Sequence, residues 1–325
     1  MNDANKASLQ RVRALYRQAI GLRQDTDPLL SGQFEAVIGR LSALLSAMGD
    51  PIPADALPDF EKHDLTEAAL ELLPSTRLDG RVAIVTGGSG GLGRMAACAL
   101  AQAGADVVVV ARSREKCDAT AAKVRALGCR ALSLSVDVTE ADQVEAMVTA
   151  VEKEFGRIDI LFNNAGITSP RTLDDSSHDE WWKIIDVNVR GTMNCTKAVV
   201  RHMMARRGGR IINMGSILSG RGMANRSAYS ASKSAILQFT KSMAFELGPF
   251  GITVNALGPT VIVTDLNREL VKTQPALYES IVKRTPLGRL GQPWDVAGPL
   301  VFLASDAAGF VNGQILYVDG GYTAG

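Results

Sequence analysis

Cysteine and histidine are scarce in this 325-residue chain: Cys98, Cys117, Cys129 and Cys195, and His63, His178 and His202, are all it has. None of the cysteines forms a CxxC, and no zinc constellation assembles at recognised spacing. That argues against a metal centre and against a zinc-dependent dehydrogenase. Scattered, unpaired cysteines read as reduced core or helix residues, the pattern of a cytoplasmic protein. A dominant charge is missing as well: Lys+Arg number 35 against Asp+Glu 34, a formal net charge of +1, with no basic block. Nucleic-acid partners and anionic membrane surfaces therefore have nothing to hold. Long apolar runs are absent; a stretch such as Val107 to Ala111 is far too short to cross a bilayer. The opening residues, Met1-Asn2-Asp3-Ala4-Asn5-Lys6, lack the apolar core of a signal peptide.

What remains is 46% hydrophobic and 21% charged, enough to bury a substantial core. Residues 1–76 read as a helical N-terminal extension. Phe34, Val37, Ile38, Leu41, Leu44, Leu45 and Met48 recur at helical spacing, and Leu9, Val12, Tyr16, Ala19 and Ile20 make a weaker stripe. Asp50 to Pro58 breaks helix, and Asp64-Leu65-Thr66-Glu67 resembles a capping box opening a short helix that Pro74 ends. Residues 77–325 alternate differently. Short apolar strands are expected at Val82–Val85, Val107–Val110, Ala131–Val136, Ile158–Phe162, Arg210–Met214, Thr253–Ala256 and Ile315–Val318, with helices between, the first over Met95–Ala103. Regular β-α alternation predicts an α/β domain built on one doubly wound parallel sheet.

The first strand runs into Thr86-Gly87-Gly88-Ser89-Gly90-Gly91-Leu92-Gly93. Glycines permit the tight turn and let backbone approach a pyrophosphate, which then sits against the N-terminus of the next helix. Farther on, Tyr229 and Lys233 stand at i and i+4, one face of a helix. A free tyrosine holds its proton to about pH 10. A neighbouring lysine favours the phenolate, which makes the pair a proton-transfer device.

With these residues in place the chain resembles the short-chain dehydrogenase/reductase family over about residues 78 to 325. The family's TGxxxGxG is matched by Thr86, Gly87, Gly91 and Gly93, and its NNAG by Asn163-Asn164-Ala165-Gly166. Its structural asparagine is matched by Asn188, and its catalytic serine, which precedes the tyrosine by thirteen residues, by Ser216. The resemblance implies a Rossmann-like fold and hydride exchange between a nicotinamide and a secondary alcohol or ketone. It gives Tyr229 the part of general acid and base, and has Lys233 lower the phenol's pKa and hold the nicotinamide ribose. Ser216 would hydrogen-bond the substrate oxygen, and Asn188 would hold a relaying water. Asp137 and Val138 would border the adenine, Asn164, Ala165 and Gly166 the adjacent ribose, and Ile262 and Thr264 the carboxamide. Where many relatives carry Pro-Gly this chain has Pro259-Thr260, so the loop near the nicotinamide is expected to differ, because Thr adopts φ > 0 only at a cost.

Cofactor choice is read at the end of the second strand. Val110-Ala111-Arg112-Ser113 puts Ala where an NAD enzyme would carry Asp, followed by a planar Arg suited to a 2′-phosphate. NADP is expected, with NAD the alternative, because Gly90 stands where a second cation is common. The segments Lys283–Arg289 and Phe310–Gly321 are similar to gluconate 5-dehydrogenases and to 3-oxoacyl-carrier-protein reductases. They imply a sugar acid or polyol substrate, or else a 3-oxoacyl thioester; a non-catalytic cofactor-binding scaffold is the third reading. Arg171 and Arg221 are candidates for gripping a carboxylate. The resemblance further implies a lid over Val261–Pro286 and a homotetramer, or a homodimer, built on helices around Trp181–Met204 and Ser230–Phe245. Trp181 and Trp182 read as packing residues, one buried and one at an edge.

Overall fold

The strands are β1 Val82–Thr86, β2 Asp106–Ala111, β3 Ala131–Ser135, β4 Ile160–Asn163, β5 Gly209–Met214, β6 Ile252–Pro259 and β7 Ile315–Val318. In the computed structural model, which describes residues 14–15, 74–265 and 267–325, they form one wholly parallel sheet in the order β3-β2-β1-β4-β5-β6-β7. The helices are α1 Gly91–Gln102, α2 Arg114–Ala126, α3 Ala141–Phe155, α4 His178–Ile185, α5 Gly191–Ala205, α6 Ser227–Leu247, α7 Arg268–Thr273, α8 Pro275–Arg284 and α9 Pro293–Ala304. This is the doubly wound, Rossmann-like arrangement that the alternation predicts. Apart from Ala14 and Leu15, which are helical, the helices expected before Pro74 lie outside the described residues.

The four valines of β2 show why the sheet is buried on both faces. Val107 and Val109 pack with Ala83, Val85, Ala97 and Leu100, while Val108 and Val110 pack with Ile84, Val148 and Val199. Side chains alternate along a strand, so an unbroken apolar run fits only where both faces are covered. Each fully buried valine contributes roughly 1.5–3 kcal/mol, so a carboxylate at Val108 would leave a charge with no partner in that core.

Some boundaries differ from the sequence expectation. α1 opens at Gly91 rather than Met95, because the glycines of its first turn carry no apolar periodicity to mark the start. β6 runs on to Pro259 with every residue buried; a Cβ at Gly258 would sit 2.6 Å from Tyr317 Cδ1, so only glycine lets the strand pass that ring. Thr260 is not strained: among the described residues, the non-glycine residues with positive φ are Arg207 and Asn225. Nor is either tryptophan buried. Trp181 is partly covered and bonded through Nε1 to Ser227 Oγ at 3.3 Å; Trp182 stacks edge-on against it, 5.1 Å between centroids, and is 56% exposed. The short α4 has too little of the domain above it to enclose two indoles.

Candidate active site

The sheet reverses direction of winding between β1 and β4, both hydrogen-bonded neighbours, and crevices at such switch points take ligands. Gly87 leaves β1 at φ +64° and Gly91 starts α1 at φ +51°. A Cβ on Gly93 would fall 2.1 Å from the Gly87 carbonyl oxygen, so the helix start packs directly on the loop. Behind the loop, Thr86 Oγ1 accepts from Asn164 N at 3.0 Å and Ala165 N at 3.1 Å. Asn164 Nδ2 donates to Thr86 O at 2.9 Å and to Gly87 O at 3.3 Å. The α1 N-terminus carries no side-chain cap and no acidic residue in its first turn. Its free N–H groups and positive dipole end suit a pyrophosphate.

Beside the loop lies a cavity of about 620 Å³. Gly87, Ser89, Arg112, Ser113, Asp137, Val138, Ala165 and Gly166, all read from the sequence, form its wall. Asp137 is held by Thr139, whose N and Oγ1 donate to Oδ1 at 3.0 and 2.8 Å; these bonds, helped by the Arg112 charge, keep its carboxyl below the usual range. Arg112 is exposed, and no ion pair holds its guanidinium among the described residues. Lys116 also lines this wall, and with Arg94 and Lys123 a second cavity of about 370 Å³ beside Gly90 and Gly91. Lys116 was missed in sequence; its position four residues after Arg112, on the first turn of α2, was the available signal.

Asn164 is not on that wall, because its amide is spent supporting the loop from behind. Leu92 packs against the core, and Gly91 faces the smaller cavity. Pro259, Ile262 and Thr264 also stand off the larger cavity: Pro259 ends β6, Ile262 bridges to Gly291, and Thr264 N donates to Asn267 Oδ1 at 2.7 Å.

Ser216, Tyr229 and Lys233 come together at the carboxyl end of β5 and on α6. Lys233 is buried, with Nζ donating to Met214 O at 2.6 Å and lying 5.6 Å from the Tyr229 ring centroid. Burial lowers its pKa from 10.5 to about 8. Burial also raises the Tyr229 phenol above 10.0, opposed by the Ser216 hydroxyl and by the Arg226 charge. Arg226 is thus a second cation that favours the phenolate in this geometry, beside Lys233, whose Nζ also reaches Met214 O. Arg226 was missed, although its place three residues before Tyr229 was visible.

Between α4 and α5 the chain makes a π-helical turn over Asp186–Arg190, a form found often at functional sites. It turns Asn188 inward. Asn188 Oδ1 accepts from Ile167 N at 2.8 Å, and Nδ2 donates to Ile167 O at 3.0 Å and Ser232 Oγ at 2.9 Å. Ser232 Oγ in turn donates to Tyr229 O at 2.7 Å. Both amide hydrogens are committed within the chain, and the residue ties the cavity wall at Ile167 to the helix that carries Tyr229.

Neither arginine proposed for a carboxylate is free. Arg171 Nε lies 3.4 Å from Glu180 Oε1, and Arg221 donates to Gly325 O at 2.8 Å and Tyr322 O at 3.4 Å.

A doubly wound sheet with an open phosphate cradle, and a serine, tyrosine and buried lysine at the ends of neighbouring strands and helices, defines an oxidoreductase of the dinucleotide-binding class. Residues 87–323 match the family model described as enoyl-(acyl carrier protein) reductase, and the chain belongs to the short-chain dehydrogenase/reductase family. It is 42% identical over 248 residues to a 3-oxoacyl-[acyl-carrier-protein] reductase of Synechocystis sp., covering 76% of this chain and 98% of that one. It is 41% identical over 244 residues to the short-chain reductase protein NovJ of Streptomyces niveus, covering 74% and 93%. Among solved structures it is similar to a gluconate 5-dehydrogenase from Burkholderia cenocepacia in complex with NADP and tartrate, with 42% identity, a TM-score of 0.75, and 78% and 99% of the two chains covered. Among the described residues, no helix is long and apolar enough to cross a membrane.

Proposed function

We propose that this oxidoreductase prefers NADP and interconverts a secondary alcohol and a ketone on a polar small molecule, a sugar acid or polyol. The observation that carries the chemistry is the Tyr229 phenol, held protonated by burial yet offered Ser216 and the Arg226 charge, which favour its anion. A bound nicotinamide supplies or accepts the hydride. In reduction Tyr229 gives its proton to the substrate oxygen; in oxidation it takes it back. Ser216 donates a hydrogen bond where negative charge develops. Lys233 would hold the nicotinamide ribose and adds positive charge near the Tyr229 phenol, and Asn188 keeps the Tyr229 backbone in position. Residues 77–325 act as the catalytic domain and 1–76 as an extension to it.

The NADP preference rests on Arg112 and Lys116, two cations at the cavity edge, with uncharged Ala111 where NAD use would want a carboxylate. A relative 42% identical has been solved with NADP and tartrate, which supports both the cofactor and a hydroxy-acid substrate. NAD is the alternative cofactor. The second substrate reading, a 3-oxoacyl thioester, is favoured by the 42% identical Synechocystis reductase. Assembly as a homotetramer or homodimer is supported by Phe245 on α6, 87% exposed in the single chain, a ring that a partner's helix would cover. A cytoplasmic location is the reading that the scattered, unpaired cysteines support.

Fluorescence titration with NADPH and NADH, followed by turnover on polyols, sugar acids and acyl thioesters, tests the reading. Tighter NADPH binding with turnover of a sugar acid or polyol is expected. Preference for NADH, or turnover confined to thioesters, would overturn the corresponding half. Tight cofactor binding with no turnover would mark a non-catalytic scaffold.

A further inference from the structure

Arg226 is the N-cap residue of α6 and gives the helix no side-chain capping bond. It stands one turn before Tyr229, so the two side chains leave the same end of the helix. Its Nη1 is buried and has no hydrogen-bond partner, and among the described residues no carboxylate pairs with the guanidinium. A buried, unpaired cationic N–H is costly, and helix formation gains nothing from it here. The charge faces two phenols, that of Tyr229 and that of Tyr278 on α8. The two arginines that the sequence suggested for a carboxylate, Arg171 and Arg221, already have partners within the chain. A cation kept free next to the group that exchanges the proton is matched to an anion that arrives with the substrate.

We propose that Arg226 anchors a carboxylate of the substrate, so that the enzyme acts on hydroxy acids and the corresponding keto acids in preference to their neutral counterparts. This rests on the dehydrogenase reading above and gives it a substrate class. A guanidinium fork accepts a carboxylate through two parallel charge-assisted bonds. A neutral polyol or thioester would leave those donors empty, and an unmet buried donor is the usual source of strong discrimination. Tyr278, on α8, lies within electrostatic reach of the same cation.

The test compares kcat/KM for two matched pairs, D-gluconate against D-glucitol and acetoacetate against its ethyl ester, in wild type, Arg226→Gln, Arg226→Lys and Arg171→Ala. Wild type should favour the acid of a pair. Arg226→Gln should lower the acid-to-neutral ratio by roughly ten- to hundredfold, chiefly through KM, and Arg226→Lys should restore part of it. Neutral substrates should slow too, since the phenol loses a helpful charge, which is why the ratio is the readout. Arg171→Ala should keep the wild-type ratio, and NADPH titration shows whether each variant has folded. An equal loss on acid and neutral substrate would mean that Arg226 works only through Tyr229, and the anchor is refuted. If wild type acts on an acid and Arg226→Gln keeps its ratio, the anchor falls while the dehydrogenase reading stands. If wild type uses only thioesters, or nothing, the reading and the anchor fall together.

Discussion

Replacing Lys233 by Met should make the cofactor-free enzyme more stable while abolishing its activity. The lysine is buried, and burial lowers its pKa from 10.5 to about 8. An unfolded lysine binds its proton up to about pH 10.4, so between pH 8 and that value the unfolded chain carries more protons than the folded one. Stability then rises with pH across this window, and the penalty is fully present below it. The shift of 10.5 − 8 = 2.5 units corresponds to about 3 kcal/mol at pH 7 and leaves about 1 kcal/mol at pH 10. Against this gain, the variant loses the Nζ bond to Met214 O at 2.6 Å, a cost of about 1 kcal/mol. Methionine occupies a similar volume in an apolar core, so repacking adds little.

The net expectation is Lys233→Met more stable by about 2 kcal/mol at pH 7, with the advantage gone near pH 10. Urea unfolding of both proteins at several pH values checks it, read between pH 8 and 10. Above that range the raised Tyr229 pKa acts with the opposite sign: the folded state then holds the phenol proton longer, and stability falls with pH. Wild-type and variant curves that run parallel from pH 8 to 10 would refute the reasoning, because Lys233 would then titrate alike in both states. A stability–activity trade-off of this kind is expected where a catalytic cation is stored in a dry site until the cofactor arrives.

Tyr229→Phe should reduce kcat by roughly 10²–10⁴ while NADPH affinity, followed by fluorescence, stays within a few-fold. Arg112→Ala with Lys116→Ala should weaken NADPH binding by roughly ten- to a hundredfold and leave NADH binding little changed, since a 2′-phosphate is the group those cations would meet. Gly93→Ala should cost roughly 1–3 kcal/mol or more, seen in thermal unfolding together with loss of cofactor binding, because its Cβ has only 2.1 Å to the Gly87 oxygen. Asn188→Ala should lower stability by about 3 kcal/mol in urea, as it strands the Ile167 amide and carbonyl and one Ser232 contact in a buried setting.

The sheet was legible because its signal is additive and local. Val107 to Val110 can be apolar throughout only if covered on both sides, and the strand–glycine–helix order at Thr86 to Gly93 admits few other readings. Helix starts were less legible, since Gly91 and Gly93 carry no periodic side chain to count. The π turn at Asp186–Arg190 left no trace in the sequence pattern, because one extra residue in a turn does not change which residue types line a face. Trp181 and Trp182 misled for the converse reason: a large ring is usually buried, but α4 lies where too little of the domain covers it.

Charged side chains divided along the same line. Sequence could name every arginine near the motifs, but not which of them the fold had already paired. Arg171 and Arg221 looked available by proximity and are bonded within the chain. Arg226, whose N–H is buried and unpaired, and Lys116, which stands on the cavity wall, were not singled out at all. A charge acquires chemical meaning when its partners are counted: paired, it is scaffold, and unpaired at the edge of a cavity or beside a reacting phenol, it selects a ligand. By that count the two ends of the site make different demands, Arg112 and Lys116 for a phosphate on the cofactor and Arg226 for a carboxylate on the substrate. The two can be separated by the ligand whose binding each variant weakens.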